Sequence, residues 1–253
     1  MPQLASLVLA SVLALSAQLA QADTLKVLTT RAYKQVLMAL VPGFEARTGH
    51  KLEVDNDTAG ALSRRIAAGE TFDVLVLTPG GLKPLAANGK VVPDSVTALG
   101  RAALGVAVKD GTPLPAMGTV EEFKQAVLNA KKVAYIDPAA GGSSGIYLDG
   151  LFQRMGIAQA VRAKAVLVPG GLVATRLVSG EADLAIHQIS EILPVAGVTL
   201  VGPLPEAIQN YTTYAGAVSG STRKAQAARD FLATLSGPQA QEVLRSKGML
   251  PAR

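Results

Sequence analysis

The sequence predicts an α/β protein of two lobes, each a mostly parallel sheet flanked by helices, with a cleft between them. Three observations carry this. Short apolar runs alternate with helical patterns over the first hundred residues; the alternation restarts beyond Arg101; and two helical segments close the chain after a Pro-rich crossing near residues 203–205. The organisation that follows is a leader over residues 1–22, one lobe from 23–102 plus 205–253, and a second lobe from 103–204.

The leader, MPQLASLVLASVLALSAQLAQA, holds an apolar run at 4–15 that has the length of a signal-peptide h-region and is too short to span a bilayer. Ala20 and Ala22 put small residues at the two key positions of a peptidase site, so cleavage is expected after Ala22, although no Lys or Arg precedes the run. Export to the periplasm is the expectation. Residues 25–29 (LKVLT) then read as a strand, and 33–48 as an amphipathic helix ended by Gly49. A second strand spans 51–55, a helix at 61–68 stops at Gly69, and 73–77 (DVLVL) is an unbroken apolar strand of the kind buried on both faces.

In the second unit 104–108 is a strand, and 119–130 is a helix opened by the capping-box pair Thr119 and Glu122. A strand at 133–136, a helix after Gly142, a strand at 165–168, a helix at 172–179 and a strand at 182–187 follow. Residues 212–218 form a strand before helices at 222–235 and 238–247, the second with Pro238 in its first turn.

Composition narrows the chemistry. The 253 residues are 49% hydrophobic but only 4% aromatic, with no Trp, so the core must be mainly aliphatic. The absence of Cys excludes a thiol nucleophile, a thiolate metal site and any disulfide. Two isolated histidines, His50 and His187, give no grouping for a transition metal, and no cofactor is implied. His50, beside Lys51 at a strand entry, reads as exposed. The net charge of +5 comes from scattered Lys and Arg without a basic, aromatic-studded stripe, so nucleic acid is not an expected partner. A mild attraction for anions is.

Ligands of open α/β sheets sit beyond the C-terminal ends of strands, beside helix N-termini. There this chain places Thr29, Thr30 and Arg31; Thr58 and Ala59; Thr78; Ser143, Ser144 and Gly145 of the run GGSSG; Gly170 and Gly171; and His187 with Gln188. Gly, Ser and Thr expose backbone N–H groups and add hydroxyl donors, which suits a carboxylate or another oxyanion; helix capping uses the same residues. Arg31, the one cation at these ends, reads either as a bidentate carboxylate clamp or as a first-turn surface arginine. GGSSG lacks the ending of a P-loop and the spacing of a dinucleotide fingerprint, and reads as an anion-binding or a merely flexible turn. His187 ends the apolar strand ADLAIH near Glu191, either packed and hydrogen-bonded or transferring a proton. Tyr211 and Tyr214 flank the return crossing as hinge packing or as a cover for the ligand.

From Leu25 to the C-terminus the chain resembles the type-2 periplasmic solute-binding proteins, in particular the group around the molybdate-binding protein. The phrase FEARTGHKLEV, the strand DVLVL and the ending AARDFLATLSGPQAQEVLRSKGMLP carry the likeness. The resemblance implies a monomer that captures a small anion, a carboxylate or an oxyanion such as molybdate, for the membrane component of an ABC importer. Thr29-Thr30-Arg31 stands where that group usually has an Ala-Ser turn, Asp137-Pro138 is followed by GGSSG rather than Pro-Ala-Gly, and His187-Gln188 stands near the usual Tyr. The added Arg and hydroxyls suit a carboxylate better than a compact tetrahedral oxyanion. One similar protein on this fold is a cofactor-free isomerase of trans- and cis-aconitate. On that resemblance Arg31, Ser143 and Ser144 hold carboxylates, and His187 or Glu191 is the base of an allylic proton shift.

Overall fold

A computed structural model describes residues 22–252. The expected leader, apart from Ala22, lies outside the described residues. The chain begins β1 (Thr24–Thr30), α1 (Arg31–Thr48), β2 (Lys51–Asp57), α2 (Ala59–Ala67), β3 (Val74–Leu77) and α3 (Pro79–Ala87). Then come β4 (Thr97–Lys109), α4 (Val120–Asn129), β5 (Val133–Ile136), α5 (Ser143–Arg154), α6 (Ala158–Arg162), β6 (Ala165–Val168), α7 (Thr175–Val178), β7 (Leu184–Gln188), α8 (Ile189–Ile192) and β8 (Val198–Pro203). It closes with β9 (Tyr211–Val218), α9 (Ala225–Ser236), α10 (Pro238–Ser246) and β10 (Met249–Pro251).

The strands run in the order β2-β1-β3-β9-β4-β7-β5-β6, with β8 and β10 added on β4. Each half has a parallel centre, β2-β1-β3 in one and β6-β5-β7 in the other, where a helix returns the chain between neighbours. The antiparallel pairs fall where β4 and β9 join the halves. The order reads the same from both ends: β9 flanks β3 as β4 flanks β7. β4 is one strand serving two sheets. Ala103 still pairs with Tyr211 of β9, whereas Leu104 already pairs with Gln188 of β7.

Helices cover both faces of each half. Tyr33, Leu37 and Phe44 of α1 pack with Phe231 and Leu235 of α9 and Leu244 of α10 on one face of the first sheet. Leu62 and Ile66 of α2 and Leu82 of α3 close its other face. Phe123, Leu148, Phe152 and Val161 from α4, α5 and α6 cover one face of the second sheet, and Leu177 and Ile192 the other. His50 is half-buried rather than exposed: it stacks on Phe44 with centroids 6.1 Å apart and accepts from the Asp23 N–H at 3.0 Å.

Several elements depart from the sequence expectation. α3 follows β3 where the sequence reading places no element; Pro79 takes the first helical position, where a missing N–H costs little, and Thr78 caps it. β4 starts at Thr97 rather than Leu104; its first half holds Gly100 at a crowded point, where a Cβ would lie 2.7 Å from the Leu244 side chain. α6, α8, β8 and β10 are short elements that tertiary contacts hold and that no periodicity marks.

Candidate functional site

The C-terminal ends of β1, β2, β5 and β7 converge on one pocket. Thr30, Arg31 and Ala32 enter from the β1–α1 junction; Asp57, Thr58 and Ala59 from β2–α2; Gly142, Ser143 and Ser144 from the start of α5; His187, Gln188 and Glu191 from β7–α8. Ile136, Gly171 and Tyr214 complete the wall. α1 and α5, of 18 and 12 residues, both begin here, and neither cap residue, Thr30 or Gly142, gives its helix a side-chain hydrogen bond. Their first-turn N–H groups and the positive ends of their dipoles therefore border the pocket without a side-chain acceptor among the described residues. Arg31 has no hydrogen bond or ion pair among the described residues, and the buried Thr30 Oγ1 is also unpartnered there. This is a set of vacant donors around a half-buried cation, the arrangement that binds a carboxylate or oxyanion.

A polar network forms the floor. Gln188 Nε2 donates to Tyr214 Oη at 2.6 Å and to Ser143 Oγ at 3.3 Å; Thr212 Oγ1 donates to the same serine at 3.4 Å. Burial pushes the Tyr214 phenol far up, so it keeps its proton. Ser143 already accepts from two neighbours, which leaves its own O–H as a donor.

Beside this network His187 Nε2 lies 3.3 Å from Glu191 Oε2, with side-chain exposures of 2% and 6%. Burial, reinforced by Arg31, pushes the imidazole down to about 3. Burial pushes the Glu191 carboxyl up to about 8, with Arg31 opposing part of that rise. Near neutrality the pair is therefore uncharged, a hydrogen bond rather than an ion pair, because desolvation outweighs mutual attraction at this depth. His187 Nδ1 is buried with no partner among the described residues. With Glu191 protonated, the carboxyl donates into Nε2 and Nδ1 carries the hydrogen. With Glu191 ionised, Nε2–H leans on the carboxylate and Nδ1 presents a lone pair. The pair thus takes up or releases one proton at Nδ1 by shifting another between Nε2 and Oε2.

Of the residues the sequence singles out, the pocket brings together Thr30, Arg31, Thr58, Ala59, Ser143, Ser144, Gly171, His187, Gln188, Glu191 and Tyr214. Four lie off it. Thr29 is fully buried and turns its hydroxyl to Thr30 O. Thr78 caps α3. Gly145 is a packing glycine, since a Cβ there would stand 2.2 Å from Ile136 O, and Gly170 does not reach the wall. Asp57 and Gly142 line the pocket without having been singled out as binding residues. An acid in an anion pocket runs against the obvious pattern; here Thr58 N–H donates to one Asp57 oxygen at 2.8 Å and Arg65 lies 3.5 Å from the other. Among the described residues no cluster of His, Asp and Glu could hold a metal ion.

Residues 25–250 match the family model described as bacterial extracellular solute-binding protein. An aconitate isomerase from Pseudomonas sp is 34% identical over 259 aligned positions, covering 99% of this chain and 97% of that protein. Among solved structures, the periplasmic molybdate-binding protein of Azotobacter vinelandii superposes with a TM-score of 0.77 at 20% identity, over 90% of this chain and 100% of that one. The sulfate-binding protein of Mycobacterium tuberculosis gives 0.74 at 19% identity, over 91% and 87%. At those identities the two structures are similar in fold alone.

Proposed function

The chain belongs to the bacterial extracellular solute-binding protein family, and from that premise we propose that it is a periplasmic, cofactor-free isomerase that holds a small polycarboxylate in its cleft and interconverts trans- and cis-aconitate. The full-length likeness to an aconitate isomerase supports the substrate. The observation that carries the reading is the buried His187–Glu191 pair opening on the same pocket as the unpartnered Arg31. Arg31 and the starts of α1 and α5 are what an anion binder needs. A proton-accepting pair beside them is what a binder does not need.

In this reading Arg31 holds one carboxylate, and the Ser143 and Ser144 end of α5 holds another. His187 Nδ1 removes a proton from the substrate's methylene carbon while Glu191 takes the Nε2 proton. The electron pair left on carbon becomes the new double bond, and the old double bond takes a proton back at its far carbon. One proton leaves and one returns, so nothing else is consumed. The lobes are taken as 23–102 with 205–253 and as 103–204, closing over the ligand. The test is a proton-NMR time course of trans-aconitate with the purified protein in D2O. Loss of the substrate signal, growth of the cis isomer and deuterium in the methylene group are expected. An unchanged spectrum overturns the isomerase.

Family membership favours a second reading, an anion-binding protein that serves an ABC importer. It predicts that trans-aconitate or another carboxylate raises the melting temperature while the NMR spectrum stays unchanged.

A further inference from the structure

At the rim of the pocket the first turn of α2, from one half, touches the turn before α5, from the other. Gly60 N–H donates to Gly141 O at 2.9 Å, Thr58 Oγ1 donates to Ala140 O at 2.8 Å, and Arg64 Nη2 reaches the same Ala140 carbonyl at 3.4 Å. The two backbones meet directly. A Cβ on Gly60 would stand 2.8 Å from Gly141 Cα, and a Cβ on Gly141 would stand 2.8 Å from Gly60 Cα. Real Cβ atoms do not approach so closely, so any side chain at either position pushes the two segments apart.

Gly141 also has a local reason to be glycine, its φ of 77°. Gly60 has none. Its φ is not positive and it sits in the first turn of a helix, where alanine is the better helix former. Glycine there weakens α2 within its own half, and the contact it permits is with the other half. Thr58 fits the same purpose: its hydroxyl accepts from Ala61 N–H and donates across the gap, so both of these functions are engaged away from a ligand. Thr58, Ala59, Gly142 and Ser143, on either side of the contact, all line the pocket.

We propose that Gly60 and Gly141 form a latch that fastens the two halves across the pocket rim and sets how fast a bound anion escapes. A ligand leaving on this side must break the Gly60–Gly141 and Thr58–Ala140 hydrogen bonds together. The latch is a property of the fold and stands apart from the identity of the ligand.

The chain has no cysteine, so Ala67→Cys and Gln159→Cys, both exposed positions in opposite halves, accept two nitroxide labels and no others. Pulsed EPR then reads the distance between the halves, with and without trans-aconitate. The native chain is expected to show a short-distance population that Gly60→Ala reduces at least about fivefold, while the melting temperature of the ligand-free variant is unchanged or higher. Trans-aconitate should dissociate about tenfold faster or more from Gly60→Ala, since the variant alters retention rather than encounter. Thr58→Val should fall between the two and Thr58→Ser should restore native behaviour. Identical distance distributions in native protein and Gly60→Ala, or no short-distance population in the native protein, overturn the latch. If trans-aconitate does not bind the native protein, the substrate reading fails, and the ligand-free distances still decide the latch.

Discussion

In the proposed reaction Arg31 and the His187–Glu191 pair divide the work of the pocket between binding and proton transfer. Sequence position alone made Arg31 a candidate, as the one cation at a strand end. Whether its charge was already neutralised depended on carboxylates far along the chain, which no local pattern reveals. With its guanidinium unpartnered among the described residues, Arg31→Ala should weaken trans-aconitate binding by roughly 10- to 100-fold, the scale of a lost charged hydrogen bond. Arg31→Lys keeps the charge without the planar fork and should recover only part of that, as titration calorimetry would show. The pair predicts a pH profile. Glu191 is raised to about 8, so the proton-accepting form is scarce at lower pH and grows as pH rises towards 8. For trans-aconitate, kcat/KM should climb about tenfold per unit up to roughly pH 8 and then level, and Glu191→Gln should abolish both the climb and the turnover. His187, held near 3, adds no limb between pH 5 and 9. Stability moves the other way. A carboxyl whose folded pKa is raised stabilises most below its unfolded value of 4.5, and that contribution is lost as pH rises through about 8. Glu191→Gln should therefore flatten the fall of melting temperature over that window.

Elements with a strong local signal were legible, and elements held by contacts were not. The box at α4 is present in both directions, with Glu122 N–H donating to Thr119 Oγ1 at 3.1 Å and Thr119 N–H to Glu122 Oε2 at 2.9 Å. Thr119→Ala should cost about 1 kcal/mol in urea unfolding without touching binding. DVLVL was readable as a buried strand because it is apolar on both faces, and all four residues of β3 are buried. The first half of β4 was not, because TALGRAA is poor in the β-branched and large apolar residues that mark a strand, and Gly100 is small for close packing against Leu244. The start of α5 shows the same ambiguity at one glycine. Gly145 was legible as part of a Gly-Ser turn, yet its role is to let α5 approach Ile136. Gly145→Ala should destabilise the fold by roughly 1–3 kcal/mol through overpacking, seen as a lower melting temperature, and would displace the helix start that borders the pocket.

The molecule as a whole is two α/β halves joined through β4 and β9, with the site where the strand ends of both halves meet. A ligand touching both halves should stabilise the entire chain. At 100 times its dissociation constant it adds about 2.7 kcal/mol, or roughly 5–10 °C for a chain of this size, and Arg31→Ala should need far more trans-aconitate for the same shift. Restarted strand-helix alternation made the two halves visible in the sequence. The pairing of Asp57 with Arg65 and of Gln188 with Tyr214 was not visible, since each joins elements remote in sequence or conceals a charge that looked out of place. The mirrored strand order has a consequence for the site. It gives each half a corresponding helix, α1 in one and α5 in the other, whose open start faces the pocket. The two halves differ in content: Arg31 lies in one, His187 and Glu191 in the other. A substitution at His187 or Glu191 therefore alters the proposed proton transfer in one half while Arg31 stays in place in the other, so that binding and turnover can be changed separately.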